Sequence, residues 1–195
     1  DYSLSMRTLF IIPLVLMSLV SAPSWGADLG KGLAAAQSGD FETALREWTP
    51  LAEQGDAKAQ YNLGLMYDNG WGVLQDYKTA AKWYTLAAEQ GETSAQINLG
   101  ELYRRGEGVV QDYKTAVKWY TLAAEQGDAL AQYNLAWMYD KGRGVLQDYK
   151  TAAKWYTLAA VQGNAGAQYN LAWMYSKGRG VLQDHETALK WITLA

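Results

Sequence analysis

The sequence predicts an all-α protein, an α/α superhelix (solenoid) of stacked antiparallel helix pairs, and three observations predict it. The stretch QDYKTAAKWYTLAAEQG at 75–91 returns as QDYKTAVKWYTLAAEQG at 111–127 and QDYKTAAKWYTLAAVQG at 147–163, with QDHETALKWITLA from 183 onward, a period of 36. The third and fourth copies agree at 25 of their 32 shared positions, so the period is internal duplication. Each period holds two helical patterns parted by a glycine loop, and the second pattern mixes small alanines with large aromatics. One such hairpin cannot bury both faces of its helices, so neighbouring units must stack into a continuous core.

Residues 1–26 read as a leader rather than as fold. Met6-Arg7-Thr8 is a short positive lead, 9–20 is apolar but for Pro13 and Ser18, and Ser24 and Gly26 precede a plausible cut before Ala27. This is the layout of a secretory signal peptide. Twelve residues at 1.5 Å each fall well short of a hydrocarbon core of ~30 Å. The chain is therefore expected in the periplasm or outside the cell, with no membrane span after signal removal.

Residues 27–55 read as a first, shorter hairpin. Pro50 stands there where later units have Leu86, Leu122 and Leu158. A proline inside a helix removes an N–H, so this helix is expected to be kinked or shortened. Full units follow at 56–91, 92–127 and 128–163, with a fourth over 164–195. In each, the first helix opens at a capping residue (Asp56, Asp128, Asn164), whose side-chain oxygen can accept an early backbone N–H; Glu92 is the poor match. It closes in a glycine loop (NGWGV, RGEGV, KGRGV, KGRGV), where positive φ lets the chain leave the helix. The second helix opens at Asp76, Asp112, Asp148 or Asp184. Lys78, Lys82, Thr85 and Glu89 recur at helical spacing and predict one polar stripe. Tyr77, Ala80, Trp83, Tyr84, Ala87 and Ala88 then form the packed face. The chain stops mid-helix at Leu194-Ala195 without the polar cap that solenoids need, so a fragment of a longer protein is expected.

Composition excludes several chemistries. Net charge is −3, which offers nucleic acid no basic surface. With no cysteine there is no thiolate metal site, and the single histidine, His185, which replaces the Tyr of the other units at an exposed helix start, does not point to a metal site or a His-based triad. The loops hold G-x-G but lack the third glycine and preceding strand of a nucleotide site. No catalytic residue, metal or cofactor is predicted.

The pattern A-x-Y-N-L-G/A-x-x-Y…G-x-G-V…D-Y-x-x-A-x-x-W-Y-x-x-A-A-x-x-G resembles the Sel-1-like repeat family, a branch of the tetratricopeptide-like solenoids. Residues 29–55, with GDFETALREWTPLAEQGD, resemble the tetratricopeptide-type hairpin that often precedes such arrays. The resemblance implies a non-catalytic scaffold or adaptor that binds a protein or peptide. A glycan or peptidoglycan binder is the alternative, since aromatic faces can stack on sugars. Some relatives resemble β-lactamase-like hydrolases, but those are Cys-rich, and no serine here has lysine three positions on, as S-x-x-K chemistry wants.

Family geometry implies that the first helices line a concave face through positions 58, 61, 65, 68 and 69 and every 36th residue after. Position 65 reads Leu65, Glu101, Trp137, Trp173, and position 61 reads Tyr61, Ile97, Tyr133, Tyr169. Tyr61, Leu65, Glu101, Tyr133, Trp137, Tyr169 and Trp173 are the candidate partner-binding residues. Tyr133, Trp137, Tyr169 and Trp173 would form an aromatic strip, unless the two tryptophans pack on each other and on the adjacent repeat. Arg104, Arg105, Lys141, Arg143, Lys177 and Arg179 would align as a basic edge for an acidic segment or anionic glycan. Cations near helix C-termini also interact favourably with the helix dipole alone.

Overall fold

The structure, a computed structural model, describes residues 26–195. The leader expected over 1–26 lies, but for Gly26, outside the described residues. Ten helices follow in order: α1 (Leu29–Gln37), α2 (Phe41–Glu53), α3 (Ala57–Asn69), α4 (Tyr77–Glu89), α5 (Thr93–Arg105), α6 (Tyr113–Glu125), α7 (Ala129–Lys141), α8 (Tyr149–Val161), α9 (Ala165–Lys177) and α10 (His185–Ile192). Each packs on its neighbours in the chain, and α3 also touches α5. The architecture is all-helical and solenoidal among the described residues. No helix of these residues is long and apolar enough to cross a membrane.

Local chemistry starts and stops each helix. Asp56, Asp128 and Asn164 accept the backbone N–H of the third residue on, at 2.8–2.9 Å, while Glu92 makes no side-chain cap. Asp76, Asp112, Asp148 and Asp184 cap the second helices. Each also takes the hydroxyl of the threonine three residues on, at 2.6–2.7 Å. Gly70, Gly106, Gly142 and Gly178 end the first helices in the left-handed conformation, open to glycine without a Cβ penalty. Lys78, Lys82 and Glu89 are exposed as the stripe predicts. Thr85, half-buried, turns back onto the Ala81 carbonyl at 2.7 Å.

Pro50 does not shorten its helix. α2 runs 13 residues, the same length as α4. The proline sits in the last turn, so a single N–H is forfeited and the chain continues to Gln54, whose N–H reaches the carbonyls of Pro50 and Ala52.

The aromatic stretch is packing. Tyr84, Tyr120 and Tyr156 are essentially inaccessible, clustered with Ala80, Ala87 and Ala88 and their equivalents and with Leu99, Leu135 and Leu171 of the following first helices. Each such leucine contributes ~1.5–3 kcal/mol by leaving water. Trp48 takes the tyrosine slot in α2 and donates its indole N–H to the Leu29 carbonyl at 3.2 Å.

A buried amide ladder then sets the register between repeats. Gln60, Gln96, Gln132 and Gln168 donate to the carbonyls of Ala52, Ala88, Ala124 and Ala160 at 3.0–3.2 Å. Gln90, Gln126 and Gln162 donate in turn to Oε1 of Gln60, Gln96 and Gln132 at 2.7–2.9 Å. Each of these three buried glutamines therefore bridges the helix before it and the helix after it.

Candidate functional site

The first helices carry the side chains that vary between repeats, and several depressions open along them, one of about 330 Å³ between α9 and α10 lined by Tyr169, Trp173, His185 and Ile192. The largest, about 480 Å³, lies between α5 and α7. Ile97, Asn98, Glu101 and Arg104 form one wall, and Leu130, Tyr133, Asn134 and Trp137 the other. A second, about 200 Å³, is framed by Asp140, Lys141, Tyr156, Tyr169, Asn170 and Trp173. A third, about 300 Å³, lies between α3 and α5 and includes Asp68, Tyr77, Glu101 and Arg105.

The predicted aromatic residues divide among these places. Trp137 is half-buried against the core of the second and third repeats, and the Arg104 guanidinium sits 5.9 Å from its ring. Tyr133 tilts against Tyr156, ring centroids 5.8 Å apart. Tyr169 and Trp173 are 57% and 39% exposed and line both the second depression and the one between α9 and α10. Tyr61 packs on Tyr84 at 5.9 Å, and Leu65 lies on the core beside it; neither joins the largest groove.

The predicted basic edge is internally engaged along most of its length. Glu101 takes two hydrogen bonds from Arg104, one at 2.7 Å, one from Arg105, and the Tyr120 hydroxyl at 2.8 Å. Lys141 pairs with Asp140 at 2.6 Å. Arg143 lies over Tyr113 at 5.3 Å, and Arg179 over Tyr149 at 3.8 Å and Trp173 at 5.0 Å. Lys177 is exposed. Burial pushes the Glu101 carboxyl up, but the hydrogen bonds of Arg104 and Tyr120 and the arginine charges outweigh it and hold it at about 2. Burial and the neighbouring Glu101 charge push the Tyr120 hydroxyl up in turn.

Sequence reasoning passed over Asn98 and Asn134, which place amides in the largest groove. Their signal was present: asparagine is a mediocre helix former, yet it stands mid-helix at 62, 98, 134 and 170. Asn98 donates to the Tyr84 hydroxyl at 3.1 Å, and that hydroxyl donates to Asp68 at 2.9 Å. The groove thus offers apolar aromatic walls, fixed donors and acceptors, and one anchored ion cluster. It suits a polypeptide segment with alternating apolar and polar contacts. Among the described residues no cluster of three or more His, Asp or Glu could hold a metal.

The glycine loops are accounted for by packing. Cβ atoms built on Gly108, Gly144 and Gly180 would fall 2.2–2.3 Å from the carbonyl oxygens of Tyr77, Tyr113 and Tyr149. The second glycine of each loop therefore lets it abut the backbone of the preceding repeat.

Comparison with known proteins agrees with this architecture. Four consecutive Sel1 repeats match residues 57–92, 93–128, 129–164 and 165–195. The chain belongs to the Sel1 repeat family. A Sel1 repeat protein from Oxalobacter formigenes is 34% identical with a TM-score of 0.80, the match covering 84% of this chain and 68% of that one. The protein c5321, a protective antigen present in uropathogenic Escherichia coli strains, is 37% identical with a TM-score of 0.76, over 86% of this chain and 40% of its own. Cysteine rich protein B of Helicobacter pylori, 20% identical with a TM-score of 0.52 over 68% of this chain and 96% of that one, shares the fold. No curated protein sequence matched. In this Sel1 array the groove between α5 and α7 spans two adjacent repeats, so its two walls come from different copies of the unit.

Proposed function

We propose that this Sel1 repeat chain is a non-catalytic protein-interaction scaffold that works outside the cytoplasm and holds a partner polypeptide on its first-helix face. The groove between α5 and α7 carries the reading. It is the place where the uniform array becomes individual, with Glu101 and Trp137 at one repeat position and Ile97 and Tyr133 at another. A few buried aromatic and arginine side chains usually dominate the energy of an interface, and Tyr133, Trp137 and Arg104 meet here.

The chain is immobilised and exposed to envelope extract, as wild type and as Tyr133→Ala/Trp137→Ala. The double variant is expected to retain its helical circular dichroism and capture at least about tenfold less partner, the scale of one hot-spot loss. Equal capture by both proteins would remove the groove from the interface. Loss of helicity would assign the two rings to the core instead. A glycan array bound by wild type and not by the variant would replace the protein partner with a sugar.

Export rests on the apolar run at 9–20 and the small residues before Ala27, and it accords with the similarity to a protective antigen. Mass spectrometry of the periplasmic or secreted protein is expected to find a chain beginning at Ala27. An intact chain confined to the cytoplasm would contradict it.

A further inference from the structure

The edge of the array where the first helices end carries an apolar row that neither the core nor the grooves use. Leu74, Val110, Leu146 and Leu182 occupy one repeat position, two residues before each second-helix cap, and are 88–92% exposed. The next most exposed large apolar side chains, Val161 and Leu194, reach 65%. A single exposed leucine is ordinary. An aliphatic residue at every 36-residue step is periodic, and apolar surface gathered in this way marks an interaction site. The glutamines that follow, Gln75, Gln111, Gln147 and Gln183, donate their side-chain amides back to the carbonyls of Asp68, Arg104, Asp140 and Ser176 at 2.7–2.9 Å. That bond pins each loop and holds the aliphatic side chain outside it. Gly108, Gly144 and Gly180 seat each loop on the start of the preceding second helix, so the row runs unbroken along one edge.

Charge separates this edge from the opposite one. The four loop segments 67–79, 103–115, 139–151 and 175–187 hold nine Lys or Arg against eight Asp or Glu. Their capping aspartates are turned onto their own helix starts, taking a backbone N–H and a threonine hydroxyl each. Lys78, Lys114 and Lys150 beside them are exposed. At the other ends of the helices gather Glu53, Asp56, Glu89, Glu92, Glu125 and Asp128, with Lys58 the one cation over 51–58, 87–94 and 123–130. An anionic surface therefore favours the aliphatic edge over the acidic one and orients the chain before contact.

We propose that the chain docks edge-on to an anionic lipid bilayer, with Leu74, Val110, Leu146 and Leu182 entering the boundary between headgroups and acyl chains and the acidic edge facing water. Peripheral binding of this kind scales with the apolar area buried plus the attraction of basic groups to anionic lipid. The shape of the row selects lipid over a folded partner. None of the four side chains lines any of the depressions along the helices; they project singly, one per repeat. A folded protein would need a matching hole for each, whereas acyl chains close around whatever projects into them. Bilayer and polypeptide partner use different residues, so a chain held on this edge keeps the α5–α7 groove for its partner.

The inference goes beyond the scaffold reading and is tested apart from the α5–α7 groove. The chain from Ala27 holds every helix of the described residues and lacks the apolar run at 9–20. It is sedimented with vesicles of equal parts phosphatidylglycerol and phosphatidylcholine, and with phosphatidylcholine alone. Binding to the anionic vesicles is expected, falling with added salt as screening weakens the attraction. The variant Leu74→Ser/Val110→Ser/Leu146→Ser/Leu182→Ser changes exposed side chains only. It is expected to keep its helical circular dichroism and bind at least about tenfold less, the least that one leucine leaving water is worth. Because the chain has no cysteine, Leu146→Cys and Glu125→Cys can each carry one environment-sensitive fluorophore. The label at 146 is expected to shift to the blue on anionic vesicles and the label at 125 to stay unmoved. Five results would overturn the proposal: no binding to vesicles; equal binding to the neutral ones; undiminished binding by the fourfold variant; a blue shift at 125 in place of 146; or, without vesicle binding, protein capture or self-association that the fourfold variant loses, which would give the row to a polypeptide or a second copy. Tyr133→Ala/Trp137→Ala is expected to bind vesicles as wild type does. Failure on vesicles with partner capture still lost in that double variant would leave the scaffold reading standing, and the reverse pattern would keep the lipid edge and remove the groove.

Discussion

Glu101 shows how one variable position can organise a site. Its carboxylate takes Arg104, Arg105 and the Tyr120 hydroxyl, which fixes an arginine beside Trp137 and satisfies a core tyrosine with one group. The consequence is measurable in acid. Although burial works against the charge, the hydrogen bonds and arginines hold the folded carboxyl at about 2, against an ordinary value of 4.5. A depressed carboxylate stabilises the fold above its unfolded pKa and loses that contribution as protons bind the native state. Stability owed to Glu101 is thus complete above pH 4.5 and disappears as the pH falls to about 2. The capping carboxylates Asp76, Asp112, Asp148 and Asp184 are lowered too, by hydrogen bonds from the threonine three residues on, so wild type alone cannot isolate the effect. Guanidinium midpoints of wild type and Glu101→Gln, measured from pH 6 to 2, are expected to converge across the acid window. Parallel curves would show that Glu101 carries no linked proton.

At the scale of the helix and its loop, two glycines one residue apart have different jobs. Gly142 takes φ +63° to end α7, and a Cβ there would meet the Gln147 Cβ first, at 3.1 Å. Gly144 takes φ +72°, and its Cβ would strike the Tyr113 carbonyl carbon and oxygen at 2.4 and 2.3 Å. A side-chain neighbour can shift; the backbone of a packed helix start cannot. Gly142→Ala is expected to cost about 1–2 kcal/mol for the left-handed backbone. Gly144→Ala carries that plus an overpacking term of about 1–3 kcal/mol, read as the lower melting temperature of the pair. Equal losses would mean that the inter-repeat contact yields freely. Helices, caps and turns were legible in the sequence because each depends on residues within a few positions of one another. The second loop glycine was not, since Tyr113 and Gly144 meet only after stacking. The same holds for the site: the irregular positions pointed to Glu101 and Trp137, but not to Glu101 drawing in two of the expected edge cations. Tyr133 and Tyr169 occupy one repeat position, yet only Tyr133 is covered, because α9 approaches it through Gly166, whose added Cβ would lie 3.0 Å from its ring.

Across the whole molecule, packing runs almost entirely between helices adjacent in the chain, as in a one-dimensional stack whose stability sums over units and their interfaces. The glutamine ladder and the loop contacts repeat with the same 36-residue step, so any unit presents the same joining surface to the next. Excising 92–127 would seat Gln132 against the Ala88 carbonyl in place of Gln96, and Gly144 against the Tyr77 backbone in place of Gly108. The shortened chain is expected to keep its helicity per residue and a cooperative unfolding curve at a lower denaturant midpoint. An excision from the same point that falls short of a whole repeat puts the ladder partners across the cut out of register and is expected to broaden the unfolding curve and lower its midpoint further. Binding separates from folding in this comparison. The in-register deletion replaces Ile97, Glu101 and Arg104 on the groove wall with Tyr61, Leu65 and Asp68, so the shortened chain folds but no longer captures the partner of the α5–α7 groove. A folded deletion protein that still captures it would move the interface to the repeats that remain.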